Sequence, residues 1–280
     1  MSELTKLIGS VDFGEGPRWH DGALWYSDFY QGSVYRVGLD GERQVVVTID
    51  DQPSGLGWLP DGDLLIVAMQ SQRVLRFDGS TVVEHADLSS AARNLCNDMV
   101  VASNGDAYIG HFGFDAMAGE PFAPASLLLA RPDGSVEIAA DDIAFPNGTV
   151  LTADERTLIV GESFGGSYLA FDRAIDGTLS NRRVWAEIPG TAPDGCALDA
   201  EGAIWFSDAR GSQVVRVREG GEVTHTVTTP QPTFACMLGG EDLKTLFVLT
   251  APSADPARVA GTGEGGIWTM PVKVSKAGRP

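Results

Sequence analysis

The chain of 280 residues is poor in basic charge, in cysteine and in long apolar runs. Lys and Arg number 20 against 38 Asp and Glu, a formal net charge of −18. A phosphate backbone or an anionic membrane surface would be repelled by such a protein, so neither nucleic acid nor membrane is expected as a partner. Cys96, Cys196 and Cys236 are an odd count without C-x-x-C spacing. That pattern argues against a disulfide framework and a thiolate zinc site, and the three read as small buried hydrophobes in a reducing compartment. No stretch approaches the roughly 20 apolar residues of a membrane span. Residues Met1 to Ser10 lack a basic segment leading into an apolar one, so the expected location is cytoplasmic. Helical periodicity is missing too, apart from a weak stretch at Leu88–Arg93, which excludes bundles and coiled coils.

What the chain has in abundance is glycine, 34 residues with 15 prolines beside them, and therefore frequent turns. It also repeats. A turn followed by a short apolar run recurs at Asp21–Asp28, Asp61–Ala68, Asn104–His111, Asp154–Glu162, Glu201–Asp208 and Glu241–Thr250. Anchored on Leu24, Leu64, Ala107, Leu158, Ile204 and Leu246, the successive steps are 40, 43, 51, 46 and 42 residues, the spacing of propeller blades. Each copy is preceded by a short segment whose second residue is usually Gly and followed by one or two further β-rich runs. The sixth copy lacks the last run, and Leu4–Phe13 is a spare one. The pattern predicts an all-β, six-bladed β-propeller of four-stranded blades spanning residues 1–280, its ring closed by the N-terminal strand.

In such a fold the first strand of each blade lines the central channel. The first positions of those strands read Glu15, Ser54, Asn97, Asn147, Asp194 and Phe234, which pseudo-symmetry places at one level around the axis. Two buried carboxylates there would destabilise one another unless a cation lay between them. An all-oxygen set of carboxylates and amide carbonyls suits a hard divalent ion, Ca²⁺, Mg²⁺ or Mn²⁺, with Zn²⁺ and Fe²⁺ also able to use it. The alternative is that these residues cap strand ends and hold channel water. A second column, four residues past each anchor, holds Asp28, Ala68, His111, Glu162, Asp208 and Thr250. It returns to the same level because the second strand runs antiparallel to the first. His111 is thus either a general base or substrate hydrogen-bond donor, or a structural histidine pairing with a loop. Blades three and six carry insertions, Phe112–Ala125 and Ala251–Gly265. They read as lids, with Phe112, Phe114, Met117 and Phe122 as an apolar wall and Glu120 as a polar substrate contact, or as ordinary variable loops.

The motifs FGEGPRW (Phe13–Trp19), ND (Asn97–Asp98), FPNG (Phe145–Gly148) and PDGCALDAEGAIW (Pro193–Trp205) together resemble the senescence-marker-protein/gluconolactonase family, the regucalcin-like lactonases. The resemblance implies a six-bladed propeller with one divalent metal in its channel. It implies Glu15, Asn147 and Asp194 as metal ligands, and Asn97 as a substrate-side or further metal contact. One departure stands out. Gluconolactone-type members resemble R-x-N-D-G around the asparagine, whereas this chain reads Leu95-Cys96-Asn97-Asp98-Met99, without the arginine that helps hold sugar hydroxyls.

The expected chemistry is metal-assisted opening of a small-molecule lactone or ester, with Asp194 orienting or deprotonating the attacking water and His111 as the alternative base. A metal-containing ligand-binding or regulatory propeller is the competing class, and a phosphotriester or carbonyl substrate the competing chemistry. A monomer or small homo-oligomer is expected. Two further motifs carry less. Gly161-Glu162-Ser163-Phe164-Gly165 matches G-x-S-x-G, but a strand follows where a nucleophile elbow needs a helix. Gly261–Gly266 matches G-x-G-x-x-G without a surrounding βαβ unit.

Overall fold

The structure, a computed structural model, describes residues 3–115 and 118–280; Met117 of the expected wall therefore lies outside the described residues. Alternating apolar runs broken by turn residues fold into antiparallel meanders. After β1 (Thr5–Val11), the strands β2 (Gly14–His20), β3 (Ala23–Asp28), β4 (Ser33–Val37) and β5 (Arg43–Thr48) make the first blade, hydrogen-bonded in sequence order. Asp21 and Gly22, both at positive φ (47° and 75°), join β2 to β3. This is the two-residue turn whose twist matches that of the strands it connects. Five more four-stranded sheets follow, with innermost strands Pro53–Trp58, Cys96–Val101, Pro146–Leu151, Pro193–Leu198 and Thr233–Gly239.

The sixth sheet takes its outer strand from the other end of the chain, as expected. β1 pairs antiparallel with Gly265–Pro271, Thr5 opposite Thr269 and Val11 opposite Gly265. Blades pack face to face through apolar layers. Leu65, Val67, Met99, Ile109 and Leu128, for example, form one layer between the second and third blades. Outer strands alternate towards solvent and contribute little to these layers. All three cysteines are buried and free, and burial pushes the Cys96 and Cys196 thiols up to about 12. They are inert packing residues, as their spacing suggests. The weak helical stretch at Leu88–Arg93 is a single turn, with the Ala91 and Ala92 amides donating to the Leu88 carbonyl. The one α-helix among the described residues, α1 (Pro256–Val259), sits in the sixth-blade insertion.

The C-terminal segment takes a path the sequence reading does not anticipate. It crosses the far ends of the innermost strands, bridging Leu151 to Arg279 and Asp199 to Lys276, with Arg279 paired to Glu155 at 2.6 Å. A cavity of about 510 Å³ lies at that end, lined by Arg18, Lys276 and Arg279 among others.

Candidate metal centre and active site

Six innermost strands converge at the opposite end of the channel, and every one is irregular there. The register against the second strand shifts between Glu15 and Arg18, Pro53 and Leu56, Cys96 and Met99, Pro146 and Thr149, Pro193 and Cys196, and Thr233 and Ala235. Bulges of this kind re-aim side chains and recur beside active sites. They also explain the glycines. A Cβ added at Gly16, Gly55, Gly148 or Gly195 would come within 3.0 Å of backbone in the neighbouring blade. Glycine is therefore what allows the strands to approach closely enough to bring the preceding residues together.

Those preceding residues are the ring. Glu15, Ser54, Asn97, Asn147 and Asp194 are all buried, each with less than a tenth of its surface exposed. Burial raises the Glu15 carboxyl well above its ordinary range, and the charges of Asp194 and Asp98 add to the effect. Asp194 is pushed up to about 8, first by burial and then by Asp98. Each carboxylate thus opposes the ionisation of the other. The Ser54 hydroxyl, at the same level, has no hydrogen-bond partner. Asn147 donates from Nδ2 to Ser163 Oγ at 3.1 Å, and Ser163 Oγ donates onward to the Pro193 carbonyl at 2.6 Å. This chain leaves the Asn147 carbonyl oxygen for the channel.

Two buried carboxylates short of positive charge, an amide oxygen and an orphaned hydroxyl fit one hard divalent cation. Among the described residues no three His, Cys, Asp or Glu side chains group as a metal cage; here an amide completes the set. Glu15, Asn147 and Asp194 are the residues that would hold the ion.

The sequence reading missed Arg18 and its partner. Arg18 lies across the channel, 3% exposed. It donates to Asp98 Oδ1 at 2.6 Å and to the carbonyls of Leu56, Met99 and Pro17. It reaches a residue 80 positions away, lines the far cavity, and its positive charge opposes the rise in the Glu15 pKa. The glycine positions of the other blades offered a clue, because Asp98 stands where four blades have Gly.

The second column returns to the expected level, but its members fasten loops. Asp28 accepts from the Asp12 and Phe13 amides, Glu162 from Ala144 and Asp208 from Ala192. His111 belongs with them. Its Nε2 accepts from the Ser126 amide at 3.2 Å, and its Nδ1 lies 3.0 Å from the Phe112 carbonyl and 3.4 Å from the Arg93 amide. Burial lowers its pKa, so the ring is neutral, with both nitrogens engaged by backbone. No nitrogen is free to take a proton from water, and of its two readings the structural one accounts for these contacts.

Phe112 packs at the mouth, its ring 4.4 Å from that of Phe145. Phe114 and Phe122 gather with Phe164, which packs 5.3 Å from Phe145. Glu120 is exposed and accepts from the Asp115 amide within its own loop; it is not brought to the ring. Ser163 acts through Asn147 and touches no base, so the G-x-S-x-G motif is a turn.

Known proteins share this architecture. Regucalcin from Gallus gallus is 28% identical over 267 residues, 89% of this chain and 87% of that protein. A gluconolactonase from Xanthomonas campestris has 24% identity and a TM-score of 0.79, covering 97% of this chain and 90% of its own. A calcium-binding protein, regucalcin from Agrobacterium tumefaciens, has 22% identity and a TM-score of 0.82, covering 100% and 96%. Residues 13–252 match the family described as SMP-30/Gluconolactonase/LRE-like region, and the chain belongs to that family.

Proposed function

We propose that this protein is a divalent-metal-dependent hydrolase that opens lactones or closely related esters. The observation that carries the reading is the pair of buried carboxylates, Glu15 and Asp194, both with raised pKa and held at one level beside the Asn147 amide. Bound between them, a divalent ion would supply Lewis acidity for the substrate carbonyl and acidify water. Ca²⁺, Zn²⁺, Mn²⁺, Mg²⁺ and Fe²⁺ all remain candidates on donor type.

The chain's own residues then have distinct tasks. Asp194 orients the attacking water, takes its proton as general base, and returns it to the ring oxygen as the acyl C–O bond breaks. Asn97, between Ser54 and Asn147 on the ring, donates its amide to the substrate carboxyl oxygens. Arg18 pairs with Asp98 beneath the ring and offsets part of the ring's negative charge. Ser163 fixes the Asn147 amide. His111 takes no part in proton transfer.

A metal-containing binding propeller is the second reading, favoured by the relative described as a calcium-binding protein. Turnover separates the two. The test is the initial rate of acid release from a lactone panel, using protein stripped with chelator and resupplied with single divalent metals. Metal-dependent opening of any lactone supports the hydrolase; folded, metal-loaded protein inert to all of them supports the binding protein.

A further inference from the structure

Immediately mouthward of the polar ring lies a second layer that the fold builds six times over. In every blade the residue just after the second strand donates its amide to the carbonyl two residues before the ring position. The pairs are Phe29 to Phe13, Met69 to Gln52, Phe112 to Leu95, Ser163 to Phe145, Ala209 to Ala192 and Ala251 to Pro232, at 2.8–3.1 Å. Six equivalent hydrogen bonds put these twelve residues at one level around the axis. Ten are apolar and none is charged. Of the two polar ones, Ser163 is already committed to Asn147 and Pro193, which leaves Gln52.

Aromatic rings fill much of the layer. Phe13 lies 4.7 Å from Phe234 and 5.1 Å from Phe29, and Phe112 lies 4.4 Å from Phe145. Phe234 is itself the sixth member of the polar ring's level, so the apolar surface reaches down to the reacting position. Phe112, Phe145, Leu95 and Tyr30 keep part of their surface exposed. With Arg18 hydrogen-bonded to Leu56 and Met99 beneath the ring, this layer is the face from which a substrate would meet Glu15 and Asp194.

We infer that the substrate is a lactone whose ring carries an alkyl or aryl group and no free hydroxyls, the apolar part held by Phe112, Phe145 and Phe13. This deepens the hydrolase reading and rests on it. A sugar lactone would strip water from its hydroxyls against a layer with almost no hydrogen-bonding side chain to replace it, and such unpaired groups are what binding sites reject most strongly. An aromatic or aliphatic substituent meets the reverse situation, because burying its surface against phenylalanine is favourable and aromatic pairs add to that.

The experiment uses the full chain. With metal loaded, kcat/KM is measured for 3,4-dihydrocoumarin, γ-nonalactone, γ-butyrolactone and glucono-δ-lactone. The two apolar substrates should exceed the sugar lactone at least a hundredfold. Phe112→Ala should cut kcat/KM for dihydrocoumarin at least tenfold through KM. Phe112→Leu serves as the conservative control, and unchanged Tm confirms folding. Separately, metal-stripped protein is titrated calorimetrically with 3,4-dihydro-2-quinolinone, the non-hydrolysable lactam of the same shape. Saturable binding that weakens at least tenfold in Phe112→Ala is expected. Lactone opening that favours glucono-δ-lactone overturns the inference and leaves the hydrolase standing. Lactam binding without turnover of any lactone sinks the hydrolase while retaining the apolar throat. Neither binding nor turnover overturns both.

Discussion

Removing one ring carboxylate should make the metal-free protein more stable while abolishing its chemistry. Asp194 is raised from an ordinary 3.8 to about 8. A group whose folded pKa lies above its unfolded value leaves the fold unpenalised below the ordinary carboxylate range, and its cost grows as pH rises towards the folded value. Across roughly four pH units, at about 1.4 kcal/mol each, the cost approaches roughly 5 kcal/mol near pH 8. Glu15 shares this burden, and Asp194→Asn relieves both by lifting one like charge. Even if half is lost to the hydrogen bonds the carboxylate makes in place, about 2 kcal/mol should remain, or roughly 3–4 °C in Tm for a chain of this size. The assay is calorimetric unfolding of chelator-treated wild type and Asp194→Asn at pH 5 and pH 8. The variant should melt higher at pH 8, the gap should shrink or vanish at pH 5, and saturating divalent metal should raise wild type alone. A variant that melts lower than wild type at pH 8 without metal would refute the claim that the two carboxylates oppose one another across the channel.

Other substitutions test the supporting residues. Ser163→Ala frees the Asn147 amide and should weaken metal affinity roughly 10- to 100-fold, as loss of an orienting partner does, with turnover recovered at saturating metal; abolished turnover at saturation would instead make Ser163 a nucleophile. Arg18→Met leaves Asp98 buried and unpaired and should cost about 3–5 kcal/mol in denaturant unfolding, much of it regained in the Arg18→Met/Asp98→Asn double variant. A single-variant cost below about 1 kcal/mol would mean that Arg18 does not neutralise the channel. His111→Ala strands the Ser126 amide and the Phe112 carbonyl and should cost about 1–3 kcal/mol, with the pH–rate profile unchanged; disappearance of a limb near neutral pH would restore His111 as a base.

The architecture and the residues of the ring were legible in the order of the amino acids. Blade spacing is a local property, because each turn and each apolar run is written in consecutive residues such as Asp21-Gly22 and Leu64–Ala68. Once six such units are aligned, pseudo-symmetry carries Glu15, Asn97, Asn147 and Asp194 to one level without further information. Closure by the N-terminal strand followed from a missing run at one end and a spare one at the other. The contacts each of those residues makes were set by packing between blades. The second column looked functional because it shares the ring's level, yet the direction in which Asp28, His111 and Asp208 point depends on where the backbone amides of Asp12, Ser126 and Ala192 come to lie. The Arg18–Asp98 pair joins residues 80 apart across the channel, and the Ser163 chain joins blades four and five. Such contacts have no period and no local signature. They arise where side chains from different blades meet in a space too dry to leave a charge or an amide unpaired, and that space exists only after the ring has closed.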